Sequence, residues 1–152
     1  MGGSKYISDK NSQFTQYISN IKISANVFPQ LHSSGVPFVF ISSQLAGSDE
    51  SAYSLTKLLG EKLSMVHSNA NAKVIRQWNV YGVQQSHGQK SHVITDMIKS
   101  ALSYGEIRLL TDGRERRQFV HIRDVCKAYD LVENLDSDIY QVNSGQWVQI
   151  IE

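Results

Sequence analysis

A short apolar run, Phe-Val-Phe-Ile at 38–41, ends in two serines, Ser42 and Ser43, and is followed by Tyr53 and Lys57. The β-branched and aromatic residues after Pro37 suit a strand covered on both faces. The serines fall where that strand ends, and in open α/β sheets ligands bind at the carboxyl ends of strands. Beyond a polar break the pattern becomes helical. Tyr53 and Lys57, four residues apart, then share one face of the helix.

That spacing has a chemical use. A free tyrosine, with a pKa of about 10, is a poor general base at neutral pH. A neighbouring ammonium favours the phenolate and lowers that value. A serine hydroxyl opposite can hold a substrate hydroxyl or carbonyl near the tyrosine oxygen. Ser, Tyr and Lys together can move a proton while a cofactor takes a hydride. The spacing alone is not specific. Tyr6 and Lys10 repeat it without a strand or serine pair in front, and the plainer reading of one match is a helix-surface pair.

The 152 residues suffice for a domain with a real core. At 41% hydrophobic and 19% charged, the composition is that of an ordinary globular protein. A net charge of +1 gives no reason to expect nucleic acid or an anionic membrane as partner. Neither a run of transmembrane length nor a signal-peptide pattern is present. The single cysteine, Cys126, cannot form an internal disulfide, so a cytoplasmic setting is expected, with Cys126 packed rather than reactive. His87 and His92 lack metal-ligand spacing, and no metal site is expected.

In chain order, a helix is predicted over 8–34, capped by Ser8 or Asp9. Phe14, Tyr17, Ile18, Ile21, Ala25 and Phe28 form its apolar face, and Pro29 kinks or ends it. After the strand at 37–42, a second helix spans about 50–68, with Leu55, Leu58, Leu59, Leu63 and Val66 on its apolar face. A strand follows at 73–78, then a loop at 83–91 and a helix at 93–103 facing inward through Val93, Met97, Ile98, Ala101 and Leu102. Strands at 107–110 and 116–122 flank a turn at 111–114; a helix at 124–134 and a strand at 140–143 complete the pattern. Strands alternating with helices predict an α/β fold with a parallel sheet. Nowhere does the sequence contain the G-x-G-x-x-G that cradles a dinucleotide pyrophosphate.

Taken together and in order, Asn20, Ile-Ser-Ser at 41–43, Tyr-Ser-Leu-Thr-Lys at 53–57, Arg-Gln-Trp-Asn-Val-Tyr-Gly at 76–82, Arg-Arg-Gln-Phe-Val-His-Ile-Arg-Asp-Val at 116–125 and Tyr-Gln-Val-Asn-Ser-Gly at 140–145 resemble the extended short-chain dehydrogenase/reductase family. The resemblance is to its NAD-dependent sugar-nucleotide epimerases and dehydratases and runs from about Tyr17 to Glu152. It implies Ser43 as the catalytic serine, Tyr53 as general acid/base and Lys57 as the lysine that tunes the tyrosine. It also implies Asn20, Ser42, Tyr53 and Lys57 as contacts to NAD or NADP. Asn79 matches the asparagine that contacts the sugar nucleotide, and Arg117 the arginine that pairs with its diphosphate, a role suited to a bidentate guanidinium. Arg76 and Asp124 match positions read as structural.

The resemblance further implies a partial Rossmann-like parallel sheet without the N-terminal glycine-rich βαβ unit. Residues 1–82 would be the latter part of a coenzyme domain and 83–152 part of a substrate-binding region. Three readings follow: an epimerase/dehydratase-like protein that is truncated and inactive alone; a non-catalytic module that pairs as a homodimer or with a partner chain; and a degenerate nucleotide-sugar binder. The sequence departs from the family pattern in the short Gln-Leu-Ala-Gly loop after Ser43 and in Gln118, where an aspartate often follows the arginine.

Overall fold

The structure, a computed structural model, describes residues 7, 9–49, 51–66, 71–83, 92–109 and 111–151. In order, its elements are α1 (Lys10–Ser34), β1 (Phe38–Ser43), α2 (Ala52–Met65), β2 (Ala72–Gln77), β3 (Asn79–Tyr81), α3 (Val93–Tyr104), β4 (Arg116–Arg117), β5 (Phe119–His121), α4 (Ile122–Val132), β6 (Ile139–Val142) and β7 (Val148–Gln149). Three strands form the main sheet in the order β1-β2-β6, all parallel. Two small pairs stand beside it: β3 with β5, parallel, and β4 with β7, antiparallel.

The core centres on β2, where Ala72, Lys73, Val74 and Ile75 are all buried. Its alternation sends side chains to opposite faces. Arg76 reaches Glu61 on α2, whereas Gln77 meets the Tyr129 hydroxyl of α4 on the other side. Lys73, of the same parity as Gln77, donates from Nζ to the Glu133 carbonyl at 3.0 Å. There a buried ammonium completes the carbonyl end of α4, where a cation is favoured. The central strand β2 is therefore covered on both faces, whereas the run 38–41, expected to be so covered, forms β1 with Val39 exposed.

Several elements differ from expectation for identifiable reasons. Helix α1 runs through Pro29 to Ser34 and stops only at Gly35, whose φ of 64° is the left-handed conformation glycine tolerates. Asp9 caps it by accepting the Asn11 amide; Ser8, the alternative cap, lies outside the described residues, as do Tyr6 and His87. The strand predicted at 116–122 is divided. β4 turns away to pair with β7, buried Gln118 intervenes, and Ile122 already begins α4. No strand forms over 107–109. His92 is the cap residue of α3, and Cys126 is exposed on α4 rather than packed.

The larger correction concerns which helix faces turn inward. On α2 the buried residues are Ala52, Ser54, Thr56, Gly60, Glu61 and Ser64, while Leu55, Leu59, Leu63 and Val66 are exposed. On α1, Phe14, Ile18 and Ile21 are exposed and Gln16 is buried. On α3 no residue is buried, and Val93, Ile98 and Leu102 are exposed. Small side chains at 52, 56, 60 and 64 let α2 lie close against its neighbours, so its leucines point outward.

Gly60 marks the closest approach. A Cβ there would stand 2.1 Å from Cζ of Phe40 on β1, far inside contact distance. The Phe40 ring is also packed against Phe28, at 5.9 Å between centroids, which limits its retreat. Overpacking of this kind costs about 1–3 kcal/mol. Gly60→Ala should lower stability by that amount in urea denaturation, and Phe40→Leu in the same chain should recover part of the loss. An unchanged midpoint for Gly60→Ala would contradict the packing described.

Candidate active site

The carboxyl end of β1 and the first turns of α2 carry the predicted serine, tyrosine and lysine. Ser51 caps α2 by accepting the Ser54 amide at 3.2 Å. Gln13 of α1 adds a second cap, its Oε1 accepting the Ala52 N–H at 2.7 Å. Buried Ser54 fastens the intervening loop, donating to the Leu45 carbonyl at 2.6 Å and accepting the Asp49 amide at 3.3 Å. Ser43 ends β1 where this fastened loop begins. Its hydroxyl accepts the Leu45 N–H and donates to Oε1 of Gln44, each at 3.2 Å.

Lys57 sits between two rings and a carbonyl. Its Nζ is 5.8 Å from the Tyr53 ring centroid and 5.3 Å from that of Phe40, within the range in which a cation is attracted to a ring face. The ammonium donates to the Ile41 carbonyl at 2.6 Å. Burial pushes its pKa below the usual lysine value.

Beneath this group lies a network that sequence reasoning covered only in part. Glu61 is 1% exposed and follows Lys57 by one helical turn. Its Oε1 accepts from the Ser42 hydroxyl at 2.5 Å and from Arg76 Nε at 2.8 Å, and its Oε2 accepts from Arg76 Nη2 at 2.7 Å. One carboxylate thus joins α2, β1 and β2. Ser42, implied as a cofactor contact, spends its hydroxyl proton here, and Arg76 takes the structural part expected of it. The signal for Glu61 was in the sequence: a charge on the Tyr53/Lys57 face, one turn further along the helix.

The remaining predicted residues stand apart. Asn20, on α1, donates to the Gln16 carbonyl at 2.8 Å. Asn79, on β3, donates to the Gln118 carbonyl at 3.0 Å, and Gln118 Oε1 accepts the Gly145 amide at 3.0 Å. Gln118 therefore links β3, through its main-chain carbonyl, to the turn after β6, through its side-chain amide, a role that sequence reasoning did not foresee. Arg117 is exposed on β4, opposite Val148 of β7. A cleft of about 570 Å³ opens on this side, lined by Tyr81, Phe119, His121, Asp124, Asn143 and Gln146 among others. Ser43, Tyr53 and Lys57 do not line it. The structure therefore places the predicted serine, tyrosine and lysine at the end of β1 and on α2, apart from the cleft beside β3 and β5.

A parallel sheet with covering helices of this kind defines a Rossmann-like α/β fold. A model of the NAD dependent epimerase/dehydratase family matches residues 2–142, and the chain belongs to that family. It is 31% identical over 108 residues to a dTDP-4-dehydro-6-deoxy-D-allose reductase of Streptomyces bikiniensis, covering 68% of this chain and 33% of that protein. Among solved structures, the UDP-glucose 4-epimerase of Thermotoga maritima with UDP-glucose superposes with a TM-score of 0.81 at 19% identity, covering 99% of this chain and 56% of the other. The UDP-glucuronic acid 4-epimerase of Bacillus cereus, in complex with UDP-glucuronic acid and NAD, gives 0.73 at 19% identity, covering 87% and 48%. The chain spans about a third of the length of that curated relative and about half of each solved structure. The family's cofactor is NAD. Among the described residues no helix is long and apolar enough to cross a membrane.

The Glu61 network predicts an acid dependence. Burial works to raise this carboxyl, but the hydrogen bonds from Arg76 and Ser42 outweigh it and hold the pKa below the ordinary 4.5. Because the folded value is the lower one, the unfolded chain takes up the proton first as pH falls. The stabilisation is complete above about 4.5 and is lost as pH drops through the folded value. Removing one partner of a buried pair costs about 3–5 kcal/mol, and partial exposure of Arg76 puts this pair at the low end. Arg76→Met should lose roughly 3 kcal/mol in chemical denaturation at neutral pH. It should also flatten the acid limb; a wild-type acid limb would contradict the pairing.

Proposed function

We propose that this chain carries the acid/base half of an NAD-dependent epimerase/dehydratase acting on nucleotide sugars. The observation that carries the reading is the placement of Ser43 at the end of β1 with Tyr53 and Lys57 on the facing turn of α2. In this reading Tyr53 takes the proton of a sugar hydroxyl that Ser43 holds by hydrogen bond, and Lys57 lies against the tyrosine ring. Asn79 and Arg117 hold the nucleotide sugar, Arg117 through its diphosphate. Residues 1–82 serve the coenzyme and 83–152 the substrate.

The donor set at the end of β1 fits one part of NAD. An ammonium and a phenol suit the ribose hydroxyls beside the nicotinamide, with Asn20 and Ser42 as further contacts in this reading. When bound, NAD supplies the hydride acceptor. The sequence contains no glycine-rich turn for the pyrophosphate. We therefore expect the isolated chain to bind NADH weakly and turn nothing over. A fluorescence titration with NADH, run beside Lys57→Ala, checks this. Saturable micromolar binding that the variant weakens would contradict the expectation and show a rebuilt dinucleotide site.

Substrate recognition is tested separately. Calorimetric titration with UDP-glucose should show binding that Arg117→Ala weakens at least about tenfold, the worth of one charged hydrogen bond. Unchanged affinity in the variant would remove Arg117 from the site, and no binding by the wild type would remove the nucleotide sugar.

A second reading, compatible with the first, is favoured by the exposed faces of α1 and α2. Phe14 is 75% exposed and Leu59 39%, within stripes that include Ile18, Ile21, Leu55 and Leu63. Contiguous apolar surface of this kind marks an interaction site, and a homodimer through these two helices covers it. Light scattering at micromolar concentration should give a dimer mass that Leu59→Lys reduces to a monomer. A monodisperse wild-type monomer would contradict this reading.

A further inference from the structure

Of the 10 glycines in the chain, one follows an aspartate or an asparagine: Gly113, after Asp112. Such a pair is chemically reactive. With no Cβ beside it, the Gly113 nitrogen can approach the Asp112 carboxyl carbon and close a five-membered imide. The structure folds the two groups together. Asp112 Oδ1 accepts the Arg114 N–H at 3.1 Å. That Asx turn bends the carboxyl over the Gly113 peptide.

Three further groups surround the bond that would form. The Gly113 N–H donates to Thr111 Oγ1 at 3.3 Å. The Thr111 hydroxyl donates in turn to the Glu115 carboxylate, at 2.7 and 2.8 Å from its two oxygens. A hydroxyl that accepts one proton and donates another can act as a relay. Here it leads from the Gly113 nitrogen to a base. On the other side, Arg114 Nε lies 3.7 Å from Asp112 Oδ2, so both carboxyl oxygens face donors of Arg114. Negative charge that develops on those oxygens during attack is stabilised there.

We propose that Asp112 is a site of self-assisted main-chain rearrangement to isoaspartate, with Thr111 and, through it, Glu115 drawing off the Gly113 amide proton. The steps balance. The Gly113 nitrogen bonds to Asp112 Cγ as its proton passes to Thr111 and the proton of Thr111 passes to Glu115. One carboxyl oxygen of Asp112 takes up two protons, one returned by Glu115 and one from solvent, and leaves as water. Water then adds to the main-chain carbonyl carbon of Asp112 and breaks its bond to the Gly113 nitrogen, releasing a proton to solvent. The chain now runs through Cβ and Cγ, one methylene longer, and the former carbonyl carbon is a free carboxylate. Nothing is oxidised or reduced. The added methylene falls where the turn is locked. The Gly113 carbonyl accepts the Ile151 N–H at 3.0 Å, and the Glu115 carbonyl accepts the Ile150 N–H at 3.2 Å, which extends the β4–β7 ladder that sets Arg117 opposite Val148. The rearrangement rests on this turn and not on the proposed function, so failure to bind NADH or UDP-glucose leaves it untouched.

The test follows isoaspartate in the intact chain at neutral pH, by electron-transfer mass spectrometry and by methylation with protein-isoaspartate methyltransferase. It should accumulate at position 112 several-fold faster than in a synthetic peptide of residues 108–117, which has the same Asp-Gly pair without the fold. Glu115→Gln and Thr111→Val should each bring the rate in the chain down to that of the peptide. Glutamine still accepts the Thr111 hydroxyl but is no base, and the same change made in the peptide should alter nothing. Thr111→Ser keeps the hydroxyl and should keep the wild-type rate. A folded chain that isomerises no faster than the peptide would overturn the proposal, as would a folded Glu115→Gln chain that keeps the wild-type rate. If circular dichroism shows that Glu115→Gln does not fold, Thr111→Val against Thr111→Ser is read by the same assays, and equal rates in those two would overturn it.

Discussion

The Glu61 carboxylate, buried beneath the catalytic face of α2, receives three hydrogen bonds from two other elements. A buried charge is tolerable only when paired and fully hydrogen-bonded, and its removal leaves an uncompensated partner. Here the pairing fixes α2 on the sheet in rotation and in height. Ser42 belongs to the strand end that bears Ser43, and Arg76 belongs to the central strand. The helix face that meets them also carries Lys57 and Tyr53, one and two turns back. Relative placement of Ser43, Tyr53 and Lys57 therefore depends on one ion pair that touches none of them directly.

Close packing makes that pairing possible. Alanine, threonine, glycine and serine at 52, 56, 60 and 64 bring α2 near its neighbours, and Gly60 leaves room for the Phe40 ring. The same choice turns the leucines of α2 to the surface, where they join the exposed stripe of α1. Lys57 benefits too, because a helix held this close lets its side chain reach the Ile41 carbonyl of β1. The placement of Tyr53 and Lys57 and the exposed apolar surface are two consequences of one packing decision.

Much of this was legible in the sequence because it rests on local periodicity. The strand ending in Ser42 and Ser43, the helix bearing Tyr53 and Lys57, and the parallel alternation of strand and helix emerged as predicted, although that strand leaves Val39 exposed rather than covered. Burial did not. An apolar stripe on a helix is read as its inward face, but Leu55, Leu59, Phe14 and Ile18 face outward because small and polar residues make the inner contact. Gln118 was read as a departure from a pattern; its function as a tie between β3 and the turn after β6 depends on contacts 27 and 39 residues away, which no window of sequence exposes. Pro29 likewise ends no helix, because the chain continues helical past it as far as Gly35.

The central claim is that the Glu61 carboxylate is held ionised by Arg76 and Ser42 and thereby orients the site. The most direct measurement is an NMR titration of the Glu61 side-chain carboxyl carbon in the intact chain. The account predicts a midpoint clearly below the ordinary 4.5, moving upward when Ser42 is replaced by alanine. A midpoint at or above that value would mean that burial outweighs the pairing, and that the acid/base residues are positioned by something else.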